Sequence, residues 1–203
     1  MQSSIIQAIP GYRLNEYLLV LSPNEELRNR IRAVKQRFYD SYGTAMSLHG
    51  RPHLTLVKFF TWSAVEERII SRLQQIAMAQ MPFKIELKDF GSYPSHTIYI
   101  NVITKLPVQD LVGRLKTAQR LMKADPERAP HFMSDPHFTI ARKLLPWQFE
   151  KGWLEYSNRH FSAKMIADAM LLLRRPAGEG PYQIVRRFEF QHLPVDVKQG
   201  ALF

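Results

Sequence analysis

The sequence predicts an α+β fold built as two lobes related by a pseudo-two-fold axis. Three observations carry that expectation. Segments with strand-like alternation and segments with helical spacing succeed one another along the chain. The same order of elements runs through the chain twice. The two copies also share a register. A shift of 84 residues, the interval from Pro23 to Pro107, places Leu27 on Leu111 and Ile31 on Leu115. The same shift places Pro52, His53, Thr55 and Leu56 on Pro136, His137, Thr139 and Ile140. One short match would be noise; one offset at a helix start and again at a strand motif is not. Each half is too small to bury a large core alone. The halves, about 17–93 and 96–190, are therefore expected as lobes of a single domain spanning 1–203, with residues 194–203 as an irregular tail.

Tyr17 to Leu21 reads as a short buried strand. Pro23 and Asn24 open a helix with Glu25 and Glu26 in its first turn, where acidic groups suit the helix dipole. Leu27, Ile31, Val34 and Phe38 follow at helical spacing, and Tyr42-Gly43 ends the helix. Pro52 to Phe60 is the next strand. Ser63 with Glu66 forms a capping-box pattern, followed by Val65, Ile69, Leu73 and Ile76 on one helical face. Phe83 to Phe90 alternates as a strand, Gly91 to Pro94 reads as a turn, and His96 to Ile103 as the returning strand. In the second half Pro107 opens a helix and Ala124 to Ser134 forms a loop. Pro136 to Leu144 is a strand, and Pro146-Trp147 starts a helix that reaches Tyr156. Phe161 to Leu173 contains a long strand and Tyr182 to Phe190 the last one, with Gly178 and Gly180 between them.

Composition excludes several classes. The 203 residues are 45% hydrophobic and 23% charged, ordinary values for a globular chain. No apolar run approaches the roughly 18 residues of a membrane span, so no membrane partner is expected. There is no cysteine, which removes disulfides and thiolate zinc sites. The start, MQSSIIQAIPGY, lacks a basic segment followed by a long apolar stretch, so a cytoplasmic protein is expected. The formal charge of +10 favours polyanionic partners, nucleic acid first among them. The basic residues are dispersed, with adjacent pairs only at Arg142-Lys143, Arg174-Arg175 and Arg186-Arg187.

The chemistry lies in PHLTL and PHFTI. Side chains alternate along a strand, so His53 shares a face with Thr55, and His137 with Thr139. Leu54 with Leu56, and Phe138 with Ile140, take the opposite faces and can pack on helices. A pseudo-dyad would bring the two His-Thr pairs to one cleft. Imidazole titrates near 6.5 and can serve as base or acid at neutral pH. One neutral ring could deprotonate water while the other, protonated, supplies a proton to a departing oxygen; such help is typically worth about 10²- to 10⁴-fold. Threonine hydroxyls can donate to non-bridging phosphate oxygens. A metal centre would ask for several histidines with carboxylates or thiolates. Only Asp135 lies close, so neither metal nor cofactor is expected.

The paired strings resemble the H-x-T motifs of the 2H phosphoesterase superfamily, also called the 2′-5′ RNA ligase or LigT-like family. The resemblance runs from about Tyr17 to Phe190. It implies the LigT-like fold, with two antiparallel-rich sheets lining a central groove and helices outside. It implies His53 and His137 as the catalytic pair and Thr55 and Thr139 as phosphate binders. The implied activity is metal-independent opening of 2′,3′-cyclic phosphates on RNA ends or small nucleotides. RNA 2′-5′ ligation, or nucleotide or RNA binding with little turnover, remain alternatives, and a monomer is expected. The second motif continues to Arg142, similar to a family form ending in arginine; the matching residue in the first is Lys58. Both cations suit an anionic ligand, although strict alternation puts them on the opposite face from the histidines. Tyr93, Trp62, His49, His131 and Tyr182 are candidates for stacking on a base; Phe83, Phe90, Phe161 and Phe190 read as core.

Overall fold

The computed structural model describes residues 12–43, 50–94, 96–178 and 180–193. Strand β1 (Leu14–Leu21) leads to helix α1 (Glu25–Tyr42), then β2 (Leu54–Trp62) and α2 (Glu66–Met78). A hairpin, β3 (Phe83–Tyr93) and β4 (Thr97–Val102), follows. Helix α3 (Lys105–Leu115), the short β5 (His131–Phe132), β6 (His137–Arg142) and α4 (Pro146–Tyr156) come next. The chain finishes with β7 (Ser162–Ala167), β8 (Ala169–Pro176) and β9 (Gln183–Glu189).

Local chemistry explains the ends of α1. The Asn24 side chain accepts the Leu27 N–H at 2.9 Å, and Gly43 closes the helix at φ 69°, a conformation that costs glycine little. The expected capping box at Ser63 is not formed. Ser63–Val65 is a 3₁₀ turn, and α2 starts at Glu66. The Glu66 carboxylate is engaged elsewhere, accepting the Tyr17 hydroxyl at 2.8 Å and pairing with Arg174 at 2.9 Å.

The strands form two antiparallel sheets, ordered β5-β2-β1-β8-β9 and β6-β4-β3-β7. They line a central groove, with the helices on their outer faces. The sheets cut across the halves 17–93 and 96–190 expected from the repeat. Strand β3, from the first half, joins the second sheet, because a connection of only three residues forces it to pair with β4. Strands β8 and β9, from the second half, complete the first sheet. The single strand expected over Phe161 to Leu173 is two strands in different sheets. The strand ending at Ala167 pairs with β3 and the one starting at Ala169 pairs with β1, so the chain steps from one sheet to the other at Asp168. The expected turn at Gly91–Pro94 is also corrected: Gly91, Ser92 and Tyr93 pair with Tyr99, Ile98 and Thr97. A Cβ on Gly91 would lie 2.5 Å from Asn101 Oδ1 and 2.6 Å from the Tyr99 ring, so glycine is needed where those side chains cross the strand.

The crossover helices exchange partners. Helix α1 joins two strands of the first sheet yet packs with α4 against β6 and β4 of the second. Helix α3 follows β4 of the second sheet and packs with α2 over the first, whose edge strand β5 comes next in the chain. The core runs continuously through both layers, from Tyr17, Leu19 and Phe59 to Ile98, Phe138 and Ile140. Neither lobe can lose a helix without opening the other. Gly152 of α4 is a tight point of this packing: a Cβ there would meet the Phe38 ring at 2.7 Å and Ile98 at 3.3 Å. We therefore expect Gly152→Ala to destabilise the fold by about 1–3 kcal/mol, read as a lower denaturant midpoint with unchanged m-value.

Candidate active site

His53 stands one residue before β2, and His137 opens β6. Both are half-buried, as are Thr55 and Thr139, whereas Leu54, Leu56, Phe138 and Ile140 are buried. The alternation read from the sequence therefore holds through the His-x-Thr stretch, and β2 and β6 come close to each other although they belong to different sheets.

Beyond the threonines each strand departs from simple alternation, in the same way. Leu19 pairs with Val57 and Val20 with Thr55, leaving Leu56 as an extra residue. Ile98 pairs with Ala141 and Tyr99 with Thr139, leaving Ile140 extra. These are β-bulges at matching positions of the repeat. Two consecutive apolar residues, Leu56-Val57 and Ile140-Ala141, are buried in each strand. The residue that follows is turned onto the histidine face. Lys58 and Arg142 thus share that face with His53 and His137, contrary to the strict-alternation expectation.

The two imidazoles are held alike. His53 Nδ1 lies 2.8 Å from the Arg51 carbonyl oxygen, and His137 Nδ1 lies 2.8 Å from the Asp135 carbonyl oxygen. A carbonyl only accepts, so each Nδ1 carries the proton and each neutral ring leaves Nε2 as its basic nitrogen. Burial pushes both histidines below their ordinary pKa of 6.5. Their neighbours then differ. Lys35 and Arg142 push His53 further down. The carbonyl bond favours the charged form at both rings, so the difference lies in the side chains: the Asp135 carboxylate acts on His137 in the opposite sense to Lys35 and Arg142 on His53. Asp135 is itself held below the usual carboxylate value, first by Lys105 at 2.7 Å and then by the Tyr93 hydroxyl at 3.1 Å, against the opposing effect of burial. Tyr93 and Tyr99 pack on the His137 ring at 5.3 and 4.7 Å between centroids. The position matching Asp135 in the first copy is Arg51, so the repeat is symmetric in backbone and asymmetric in charge.

Lys58 does not stand alone. Its ammonium lies 2.7 Å from Glu16 Oε1, and that buried carboxylate also binds Arg175 at 2.6 Å and the Tyr182 hydroxyl at 2.8 Å. Arg142 makes no ion pair among the described residues and is exposed. Of the stacking candidates, Tyr93 packs on His137, Trp62 and Tyr182 lie towards the far end of the first sheet, and His131 pairs with Lys58 on β5. His49 lies outside the described residues.

Lys35 was missed by the sequence pattern. The fully buried residues of α1 are Leu27, Ile31, Lys35 and Phe38, while Val34, expected on this face, is partly buried and packs against the same core. Lys35 is 7% exposed, and its ammonium is 3.4 Å from the Gly50 carbonyl. Burial, then the charges of Arg142 and Arg32, push its pKa down to about 8. A lysine four residues after Ile31 in an apolar stripe was the available signal. Among the described residues no group of three or more histidines and carboxylates gathers to hold a metal.

A family model for the 2′-5′ RNA ligase superfamily matches residues 23–179. The chain belongs to that superfamily. Solved structures of the same fold agree. LigT of E. coli in its apo form superposes with a TM-score of 0.62 at 18% identity, covering 87% of this chain and 98% of LigT. TT0787 of Thermus thermophilus gives 0.67 at 17% identity, covering 87% and 98%. LigT complexed with 3′-AMP gives 0.59 at 17%, covering 88% and 98%. A sequence comparison with curated proteins finds no match.

The depressed lysine has a stability signature. Between about pH 8 and 10.5 the unfolded chain holds the Lys35 proton more tightly than the folded one, so folding stability rises with pH across that window. Lys35→Met keeps the apolar stem and removes the charge. It is expected to stabilise the fold at pH 7 by on the order of 1–3 kcal/mol and to flatten that rise, as measured by denaturant unfolding at pH 7 and pH 10. Destabilisation at both pH values would contradict the account.

Proposed function

We propose that this member of the 2′-5′ RNA ligase superfamily is a metal-independent phosphodiesterase that opens 2′,3′-cyclic phosphates on RNA ends or small nucleotides. The observation that carries the reading is the duplicated motif. Two imidazoles with the same Nδ1–carbonyl lock each leave Nε2 for proton transfer, and each is followed by a threonine on the same face. LigT has been crystallised with 3′-AMP, a nucleotide monophosphate of the kind such a reaction releases.

The charge asymmetry supports one division of roles. His53, with Lys35 and Arg142 disfavouring its protonation, takes a proton from the attacking water at Nε2. The water oxygen bonds to phosphorus, and the bond to one ribose oxygen breaks. His137, whose charged form Asp135 favours, donates its Nε2 proton to that departing oxygen. Thr55 and Thr139 donate to the non-bridging oxygens, and Arg142 adds positive charge beside them. Lys58 contributes field rather than a direct contact, because Glu16 holds it. With the 5′-hydroxyl of a second strand in place of water as the nucleophile, the same ring opening, with the 3′ oxygen leaving and taking the acid's proton, would join RNA ends through a 2′-5′ link.

His53→Ala and His137→Ala are each expected to lower hydrolysis of a panel of nucleoside 2′,3′-cyclic phosphates by at least 10²-fold, on the order of the usual acid–base contribution. Wild-type turnover is expected to persist in excess chelator. Since both histidines are held below 6.5, the kcat/KM profile should be a bell centred on the acid side of 6.5. Its acid limb reports protonation of the base and its alkaline limb loss of the acid's proton. Full activity in both alanine variants would sink the mechanism, and a bell centred above 6.5 would sink the electrostatic account.

A further inference from the structure

The face of the first sheet that carries His53 continues well past the motif. Residues directly opposed on paired antiparallel strands share a face. The register therefore places Thr55 beside Val20 and Leu171, Lys58 beside Leu18 and Leu173, Phe60 beside Glu16 and Arg175, and Trp62 beside Leu14. From Thr55 to Trp62 this surface runs about 20 Å. Its floor is apolar at Leu18, Leu171 and Leu173. Its far half alternates cations with rings: the Lys58 ammonium lies 5.5 Å from the Phe60 centroid, and the Arg175 guanidinium 4.6 Å from that of Tyr182. Trp62 is half-buried and meets Tyr12 at 6.3 Å between centroids, and Tyr12 is 52% exposed.

Glu16 organises the centre of this strip. It is 2% exposed, and one carboxylate accepts from Tyr182 and pairs with Lys58 and Arg175. Burial raises its pKa, but the three partners outweigh burial and hold it below the ordinary value, so it is charged at neutral pH. Two cations against one anion leave the cluster with one net positive charge, and Arg142 stands near enough to act on Tyr182. Tying Tyr182 and Arg175 to a buried carboxylate fixes them before any ligand arrives, which lowers the ordering cost of binding. A mononucleotide bound between the histidines would leave the strip unused.

We infer that the face built from Lys58, Phe60, Trp62, Arg175 and Tyr182 is a binding track for single-stranded RNA, holding roughly two or three nucleotides on the 5′ side of the reacting end. Rings that stack on bases without reading them, interleaved with cations along the backbone, are what such a strand requires. This deepens the proposed function and rests on it for the placement of the cyclic end; it makes the preferred substrate an oligonucleotide and not a free cyclic nucleotide.

The test compares adenosine 2′,3′-cyclic phosphate with the trinucleotide ApApA carrying a 3′-terminal 2′,3′-cyclic phosphate. Wild-type kcat/KM is expected to favour the trinucleotide at least tenfold, with the advantage shrinking as salt is raised. Tyr182→Ala and Trp62→Ala should each cut that ratio at least threefold. A second arm needs no turnover: His53→Ala protein is titrated with 3′-AMP and with ApApA bearing a 3′-phosphate, and the trinucleotide should bind at least tenfold tighter. Equal values for the two lengths in this arm would overturn the track, whatever the hydrolysis assay gives. Absence of hydrolysis with both cyclic substrates would overturn the proposed reaction while the binding arm still reads the track.

Discussion

One extra residue in each of two strands sets up everything at the groove. Without the bulges at Leu56-Val57 and Ile140-Ala141, Lys58 and Arg142 would follow the alternation of their strands into the apolar layer beneath. A charge there, unless paired, costs several kcal/mol. The bulge lets two consecutive apolar residues fill that layer, and the cation that follows emerges beside the imidazole and hydroxyl. Because the device occurs at matching places in both copies, backbone geometry alone yields two His-Thr-cation sets, one at β2 and one at β6. The sheets could not bring these sets together as independent lobes. They are interlocked by helices: α1 lies between two strands of the first sheet and covers the second, and α3 follows a strand of the second and packs over the first.

On this symmetric frame the charges are unequal. The backbone carbonyl two residues before each histidine has the same role in both copies, fixing a tautomer. The side chain at that position does not: Arg51 in one copy, Asp135 in the other. Asp135 is braced by Lys105 and Tyr93, and His53 instead faces the field of Lys35 and Arg142. Acid-base chemistry across a single phosphate needs one neutral and one protonated imidazole at the same moment. Identical rings in identical environments would not favour one such division of protons. The differing neighbours do, and the same inequality extends outward, where Lys58 is bound to Glu16 while Arg142 is left to the groove.

Much of this was legible in the sequence where the determining interactions are local. The α1 cap at Asn24 and its stop at Gly43, the α4 start at Pro146, and the shared face of His53 with Thr55 all depend on residues within a turn or two. The offset repeat made the second motif visible. What escaped depends on distant partners. A bulge is a property of a strand pair, so the true face of Lys58 and Arg142 could not be read from one strand. Gly91 to Tyr93 carry turn-forming residues, but pairing with Tyr99 and Thr97 keeps them in β3 and sets Tyr93 against His137. Glu16 meets Arg175 and Tyr182 only because β1 lies beside β8, far along the chain. Lys35 was hidden because Val34 beside it already completes the apolar stripe and does pack on the core, and only the packing of α1 on β6 buries the lysine as well.

The account stands on two imidazoles, locked as Nδ1–H tautomers, that address one phosphate together. Long-range ¹H–¹⁵N spectra of the histidine rings, recorded during titration with inorganic phosphate, test this directly. His53 and His137 should both show a protonated Nδ1 and a bare Nε2 in their neutral forms, and both Nε2 signals should shift along one saturating binding curve. An Nε2–H tautomer at either ring, or a phosphate response confined to one of them, would contradict it.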